Sequence, residues 1–415
     1  MIKKVWNWLD SEKNFLYSLL GLSLLIRLVY VLSLPAAKLS PDAFSWIDLG
    51  WSIAQGRGFG GSWRPPGYAF FLASIFLIFG KSVVAARVIQ MLLGGLTCLL
   101  TYKIGKNIFS ETTGRIAGAL TVFYPYFIAY TGDLLSETFL TFMLALTIFH
   151  VIKTAEKTSW KNIALTGFLI GLTGLTKSVV LPFFMLACVW LWWRTGKFRT
   201  AFLVGIFTLV TITPWTMRNY FHYDNSYVMP VSTPWFSLYG SSCDEALLDE
   251  STGDVLKGPG VKQIDQFMPP DWGRVAALPL PERDKYCKAK ALGWIKNNPG
   301  KFSWLIYKRA VHFWRLYPVI AYKWEKIAAM ATSGLYIPLA VIGFLLSLPA
   351  FRKTSLLLAL FVSHTAVHLF FAVTMRYRVP IDPYVIIFAA YAAAEGYGRL
   401  TSRLRGREMF QGKQV

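Results

Sequence analysis

The sequence predicts an all-α, polytopic membrane protein of about ten transmembrane helices, and three observations carry that prediction. Hydrophobic residues make up 54% of the 415-residue chain and charged residues only 16%, against roughly 25% charged in a soluble domain. Apolar runs close to the roughly 20 residues that a helix needs to cross a bilayer recur along the chain. The 43 Lys and Arg residues fall in short groups between those runs, as topology signals do. A net charge of +21 is therefore read as membrane orientation. Nucleic acid is not expected as a partner, because no single basic face collects the charge. The 16 Trp and 20 Tyr suit belts at the two membrane–water interfaces.

The first run, about 14–35, follows Lys3, Lys4 and Lys13 and lacks a small-residue cleavage site, so it reads as a signal anchor and not a cleaved leader. Further spans are expected at about 84–107, 113–131, 134–153, 160–176, 178–194, 200–217, 331–350, 354–374 and 379–397. Two stretches read as interfacial. Residues 67–80 are apolar but only about 14 long. Residues 302–320 are aromatic but interrupted by Lys308, Arg309, His312 and Arg315, the pattern of an amphipathic surface helix. With ten spans and a cytoplasmic N-terminus, every inner end is basic: Lys103/Lys106/Arg115, Lys153/Lys157/Lys161, Arg194/Lys197/Arg199, Arg352/Lys353 and the tail Arg399/Arg403/Arg405/Arg407. Counting either interfacial stretch as a span would break that positive-inside order.

The expected organisation has three parts. Residues 1–217 form a transmembrane catalytic module with a first extracytoplasmic loop at 36–83. Residues 218–330 form a second extracytoplasmic region, read as loop-rich from KGPGVKQ and LPLPERD. Residues 331–415 supply the last helices and a basic cytoplasmic tail. Cys98 and Cys188 read as small core residues. Cys243 and Cys287 share the second outer region, where a disulfide is permitted and spacing leaves the pairing open.

Function is sought on the outer face. Asp42 follows a proline just after the first span, and Asp48 lies six residues on. Ionisable groups at a membrane boundary are functional candidates, although on position alone a helix N-cap or a solvated loop charge is the simpler reading of either aspartate. Asp133 and Glu137, four apart, share one helix face, with the alternative of a boundary cap. Cations on this side are Arg64, Lys81, Arg87, Lys177, Arg218, Arg376 and Arg378. His364 and His368 in HTAVH have a spacing that can present two imidazoles to a metal, but interhelical hydrogen bonding is the plainer reading.

The ordered succession of Asp42, WSIAQGRGF, Arg64-Pro65-Pro66-Gly67-Tyr68, Arg87-Val88-Ile89-Gln90, Tyr124-Pro125, Leu135-Ser136-Glu137, Leu175-Thr176-Lys177, TPWTMRNY at 213–220, Trp294-Ile295 with Asn298-Pro299, and Arg376-Tyr377-Arg378-Val379-Pro380 resembles the bacterial dolichyl-phosphate-mannose-protein mannosyltransferase-like family. These are membrane glycosyltransferases of the C fold, and the resemblance covers nearly the whole chain. It implies that Asp42 is the catalytic base. Some relatives have an acidic pair there, whereas Ala43 follows here, so one carboxylate must suffice. It further implies Asp133 or Glu137 as the acidic residue at the end of a later span, and Arg64 with the Arg376–Arg378 pair as phosphate ligands. Tyr68, Arg87, Lys177 and Tyr377 complete the expected substrate-binding set.

The expected reaction moves a sugar with inversion from a polyprenyl-phosphate carrier to a protein, lipid or polysaccharide acceptor at the outer face of the inner membrane. No cofactor is assigned, and a divalent metal stays open because relatives differ. Two other functions share the topology. A lipid-linked sugar flippase or transporter would place ionisable groups at mid-membrane and often repeat its halves; no repeat is visible, and Arg27 is the one such group without an assigned place. A glycan polymerase or ligase with a diphosphate-linked donor is separated poorly by sequence.

Overall fold

The computed structural model describes residues 8, 10–35, 39–60, 64–223, 231, 234–248, 269–317, 323–371 and 373–411. Those residues are helical and carry no strand. Among the described residues, seven helices are long and apolar enough to cross a membrane.

Helix α1 (Glu12–Ser33) buries Leu19, Ser23, Arg27 and Val31, one residue per turn, and leaves the rest of its surface to lipid. The stripe seats α1 against the second crossing, described below, and it places Arg27. That guanidinium is fully buried, donates to Ser23 Oγ at 2.6 Å, and lies where a side chain at Gly94 would otherwise sit. The first loop folds as a helical hairpin, α2 (Pro41–Ala54) and α3 (Pro66–Phe79). Gly56, Gly58 and Gly60 all have positive φ (73°, 79° and 61°) in the turn, a conformation costly for any residue with a Cβ. At 14 residues, α3 is roughly 21 Å long, too short for a hydrocarbon core of about 30 Å.

Helix α4 (Val83–Ile108) returns across the membrane and receives the α1 stripe. The span expected at 113–131 is instead two helices, α5 (Glu111–Val122) and α6 (Pro125–Gly132). Pro125 explains the break: it has no N–H to continue the ladder and holds Tyr124 extended (φ −71°, ψ 115°). Helices α7 (Ser136–Glu156) and α8 (Trp160–Thr176) are joined by threonine hydroxyl pairs at 2.8 Å, Thr147–Thr173 and Thr154–Thr166, each worth roughly 0.6 kcal/mol between membrane helices. A short 3-10 turn (Ser178–Val180) leads into α9 (Leu181–Thr195), and α10 (Phe198–His222) packs closely on α8.

The region 218–330 contains more helix than its Pro and Gly content suggested. It holds α11 (Trp235–Ser241), α12 (Glu245–Leu248), α13 (Trp272–Ala277), α14 (Leu280–Asn297) and α15 (Pro299–Phe313). LPLPERD is not a loop: its prolines fall at the N-terminal edge of α14, where a missing N–H costs nothing. KGPGVKQ lies outside the described residues. Helix α15 buries Phe302, Leu305, Arg309 and Phe313 and exposes Trp304, Tyr307 and Val311, as an interfacial helix should. Cys243 and Cys287 are free, buried thiols, so the permitted disulfide does not form.

Helices α16 (Lys323–Leu346), α17 (Phe351–Phe370) and α18 (Asp382–Gln411) close the bundle. The last two expected spans are shifted: α17 stops at Phe370, and a 3-10 segment (Met375–Ile381) dips back towards the core before α18 begins. Helices α16 and α18 form the tightest pairing. A Cβ on Gly343 would stand 1.9 Å from the Phe388 carbonyl oxygen, which is the small-residue contact that lets membrane helices approach.

Gly343→Ala is therefore expected to lower the thermal unfolding midpoint in detergent. Gly205→Ala, where an added Cβ meets nothing within 4 Å, is expected to leave it unchanged or raised. Equal midpoints for Gly343→Ala and the wild type would contradict this packing.

Candidate active site

Five distant segments bring charged side chains together at one end of the bundle. Asp42 sits in the first turn of α2, where Pro41 starts the helix. The N-cap is Ser40 and not Asp42, so the carboxylate is left to face outward, near the positive end of the helix dipole. Arg64 stands just ahead of α3, held in extended chain by Pro65 and Pro66, with its guanidinium 4.5 Å from the Trp46 ring. Glu137 lies in the first turn of α7. Lys177 fills the joint between α8 and the 3-10 turn that follows. Arg376 and Tyr377 come from the 3-10 segment before α18.

The charges alternate along a chain of contacts. Arg64 Nη2 is 3.2 Å from Asp42 Oδ1, and Arg376 Nη1 is 2.8 Å from Asp42 Oδ2. The same guanidinium donates through Nε to Glu137 Oε1 at 2.7 Å. Lys177 Nζ lies 3.6 Å from that oxygen and 4.3 Å from the centre of the Tyr377 ring. Three cations face two carboxylates, leaving one positive charge in excess.

Exposure separates the two acids. The Glu137 side chain is 0% exposed and that of Asp42 49%, so Glu137 is an internal tie and Asp42 the open edge. Partial burial pushes the Asp42 carboxyl up, but Arg376 and then Arg64 outweigh it and hold it below the usual carboxylate range. Asp42 is therefore ionised at neutral pH and available to accept a proton.

Tyr377 is clamped from three sides. Besides Lys177, its ring stacks on His368 at 5.0 Å, and its carbonyl oxygen lies 2.9 Å from His364 Nε2. The HTAVH pair thus orients the Tyr377 segment, a role invisible in sequence because Tyr377 is on a different element. Ser45, whose hydroxyl accepts from Arg64 at 2.7 Å, and Trp46 were likewise not legible.

The other expected site residues lie outside this cluster. Arg378 faces away, pairing with Asp382 at 3.0 Å and donating to the Arg315 carbonyl at 2.7 Å; consecutive positions in a 3-10 turn point about 120° apart. Arg87 is buried and donates to the carbonyls of Gly132 and Pro35. The Tyr68 hydroxyl meets Gln90 Oε1 at 2.9 Å, and its ring packs on Trp46. Asp133 accepts from the Ser40 N–H, fixing the start of α2. Arg87, Tyr68 and Asp133 support the site from behind. Asp48 pairs with Lys81 on the surface, and Arg218 donates to the Gly60 carbonyl. Asp42 and Glu137 are both committed to cations, and among the described residues no three His, Cys, Asp or Glu side chains converge.

Residues 63–217 match the family model of dolichyl-phosphate-mannose-protein mannosyltransferase. No curated protein matches the chain by sequence. Among solved structures it is similar to the archaeal oligosaccharyltransferase AglB from Archaeoglobus fulgidus, in complex with an inhibitory peptide and a dolichol-phosphate. The identity there is 16%, the coverage 96% of this chain and 52% of that one, and the TM-score 0.57. It is also similar to ArnT from Cupriavidus metallidurans bound to undecaprenyl phosphate, at 13% identity, 92% and 60% coverage and a TM-score of 0.54. The shared architecture is the C-type glycosyltransferase fold. The chain spans between half and three-fifths of the length of these two proteins.

Removing Glu137 leaves Arg376 and Lys177 without their buried counter-ion. Glu137→Ala is expected to destabilise the fold by about 3 kcal/mol, the order found when one partner of a buried pair is deleted. A thermal melt in detergent tests it, and an unchanged midpoint would refute the tie.

Proposed function

We propose that the protein is a membrane glycosyltransferase of the inner membrane that moves a sugar, with inversion, from a polyprenyl-phosphate carrier to an acceptor at the extracytoplasmic face. The observation that carries this reading is the half-exposed Asp42 carboxylate beside Arg64, Arg376 and Lys177. Support also comes from the family-model match, from the C-type fold, and from the polyprenyl phosphates held by the two solved neighbours. The basic inner ends of the spans favour the orientation.

In this mechanism the acceptor hydroxyl or amine attacks the anomeric carbon and gives its proton to Asp42, while the bond from that carbon to the phosphate oxygen breaks. The donor is a phosphodiester with one negative charge. The departing monoester carries up to two, its second pKa being about 6. The charge that grows during the reaction therefore falls on the leaving group, where the cation cluster meets it in a pre-arranged form. Arg376 and Arg64 suit bidentate contact with phosphate oxygens. A phosphate engaging them draws them from Asp42, which raises the basicity of that carboxylate when the acceptor is present. Lys177 supplies a further charge, and Glu137 keeps Arg376 aimed.

Asp42→Asn is expected to retain polyprenyl-phosphate binding and to lower turnover by about 10²- to 10⁴-fold, the range for loss of a general base. Release of polyprenyl phosphate from a sugar-charged donor is the readout, and full activity would remove the mechanism. A second outcome concerns pH. Because Arg376 and Arg64 depress the Asp42 pKa in the free protein, kcat/KM is expected to hold down to about pH 4 and to fall only below the ordinary aspartate value. Arg64→Ala lifts one of those influences and moves the acid limb to higher pH; a limb that stays in place would mean that another group is the base.

A further inference from the structure

At the opposite end of the bundle from Asp42, a cavity of about 460 Å³ opens between the α4–α5 turn, the end of α9, the start of α17 and the first half of α18. Arg194, Arg352 and Lys353 line it, with Glu395 as the one carboxylate. One wall is the parallel stack of Phe109 on Tyr391, 4.1 Å apart and tilted by 11°.

The cations on this face differ in how they are neutralised. Lys106 pairs with Glu12 and Glu111, Arg115 with Glu111, and Lys153 with Glu156. Arg194, Arg352 and Lys353 form no ion pair among the described residues, although Glu395 shares their cavity. Arg352 and Lys353 also occupy the first turn of α17, which has no acidic residue and where the helix dipole opposes cations. With three cations against the one carboxylate of Glu395, the cleft keeps a net positive charge inside a concave, partly apolar wall, which is the form of an anion site. Leu348, Phe351 and Trp193, the chain neighbours of its lining residues, are each about half-exposed, an apolar rim suited to lipid, and Trp is enriched at the membrane interface.

We propose that this cleft binds the phosphate-bearing headgroup of an anionic phospholipid in the leaflet opposite Asp42, with Arg194, Arg352 and Lys353 as its ligands. The phosphodiester sits among the three cations and the acyl chains run out past Leu348 and Phe351. The site is separate from the reaction centre and does not depend on the reaction proposed above.

The test uses the full chain in a neutral detergent, with native mass spectrometry and thermal shift as readouts. The probes are phosphatidylglycerol, phosphatidylcholine and inorganic phosphate, and the variants are Arg194→Gln and the double variant Arg352→Gln/Lys353→Gln. Arg352 and Lys353 are exposed and Arg194 is half-buried; Arg352 also lies 5.9 Å over the Trp193 ring of α9, so an unchanged gel-filtration profile and the Arg194→Gln variant together separate lost binding from a disturbed fold. Phosphatidylglycerol is expected to be retained and to stabilise the wild type, with phosphatidylcholine at least tenfold weaker. Binding is expected to drop roughly fivefold in Arg194→Gln and about thirtyfold in the double variant, from the usual contribution of a single cation near an anionic membrane surface. Equal retention of phosphatidylcholine, or phosphatidylglycerol binding unchanged in the double variant, would overturn the site. Stabilisation by inorganic phosphate as strong as by the lipid would overturn its assignment to a lipid headgroup.

Discussion

Everything at the Asp42 end of the bundle depends on the contact between Arg376 and Glu137. It joins the 3-10 segment before α18 to the first turn of α7, which packs against it, and the pair lies in a setting where an unpaired charge would be costly. Once Arg376 is tied through Nε to Glu137, its Nη1 is aimed at Asp42. The position of the proposed base is thus set by a cation whose own position is set by a second, inaccessible acid. This division of labour explains two carboxylates in one cluster: one orients, the other stays reachable.

Prolines shape the same end of the molecule. Pro41 and Pro66 start the two interfacial helices, Pro125 breaks the third crossing, and Pro380 lies within the 3-10 segment that carries Arg376. Each marks a helix start or a break in the hydrogen-bond ladder where the chain turns, so charged residues are delivered at helix ends instead of helix middles. In a bilayer such irregular backbone is tolerated only where protein surrounds it or water reaches it. The dense packing of Glu137, Tyr377 and His364 on one side and the open edge at Asp42 on the other meet both conditions.

The two faces treat positive charge differently. At the Asp42 face the cations are shared among carboxylates and held rigidly, which suits a site whose ligand comes and goes. At the opposite face several lysines and arginines are neutralised by local glutamates, while the cleft beside α17 keeps its charge. Arg27 and Arg378 belong to neither face. Both are buried in the bundle, the first against Gly94 and a serine, the second against Asp382 and backbone carbonyls, and they serve as internal cross-links instead of marking a path through the membrane.

Much was determined by the sequence alone. Apolar run lengths, basic groups at alternate ends and the short stretch at 67–80 define the crossings and the interfacial hairpin, because the bilayer imposes one length and one charge rule on every segment independently. The ordered motifs likewise single out Asp42 from Asp48 and name a wider set of companions, Arg64, Tyr68, Arg87, Asp133, Glu137, Lys177, Arg376, Tyr377 and Arg378. Tertiary structure alone decided which of the neighbouring candidates meet. Arg376 and Arg378 look alike in sequence, yet only the first reaches the cluster, since the rotation of a 3-10 turn separates them. Asp133, Arg87 and Tyr68 turn their polar atoms to the backbone and to Gln90, and HTAVH steadies Tyr377. Such contacts join residues up to 334 positions apart, as Asp42 and Arg376 are, and no local pattern encodes a pairing that exists only once the helices have packed.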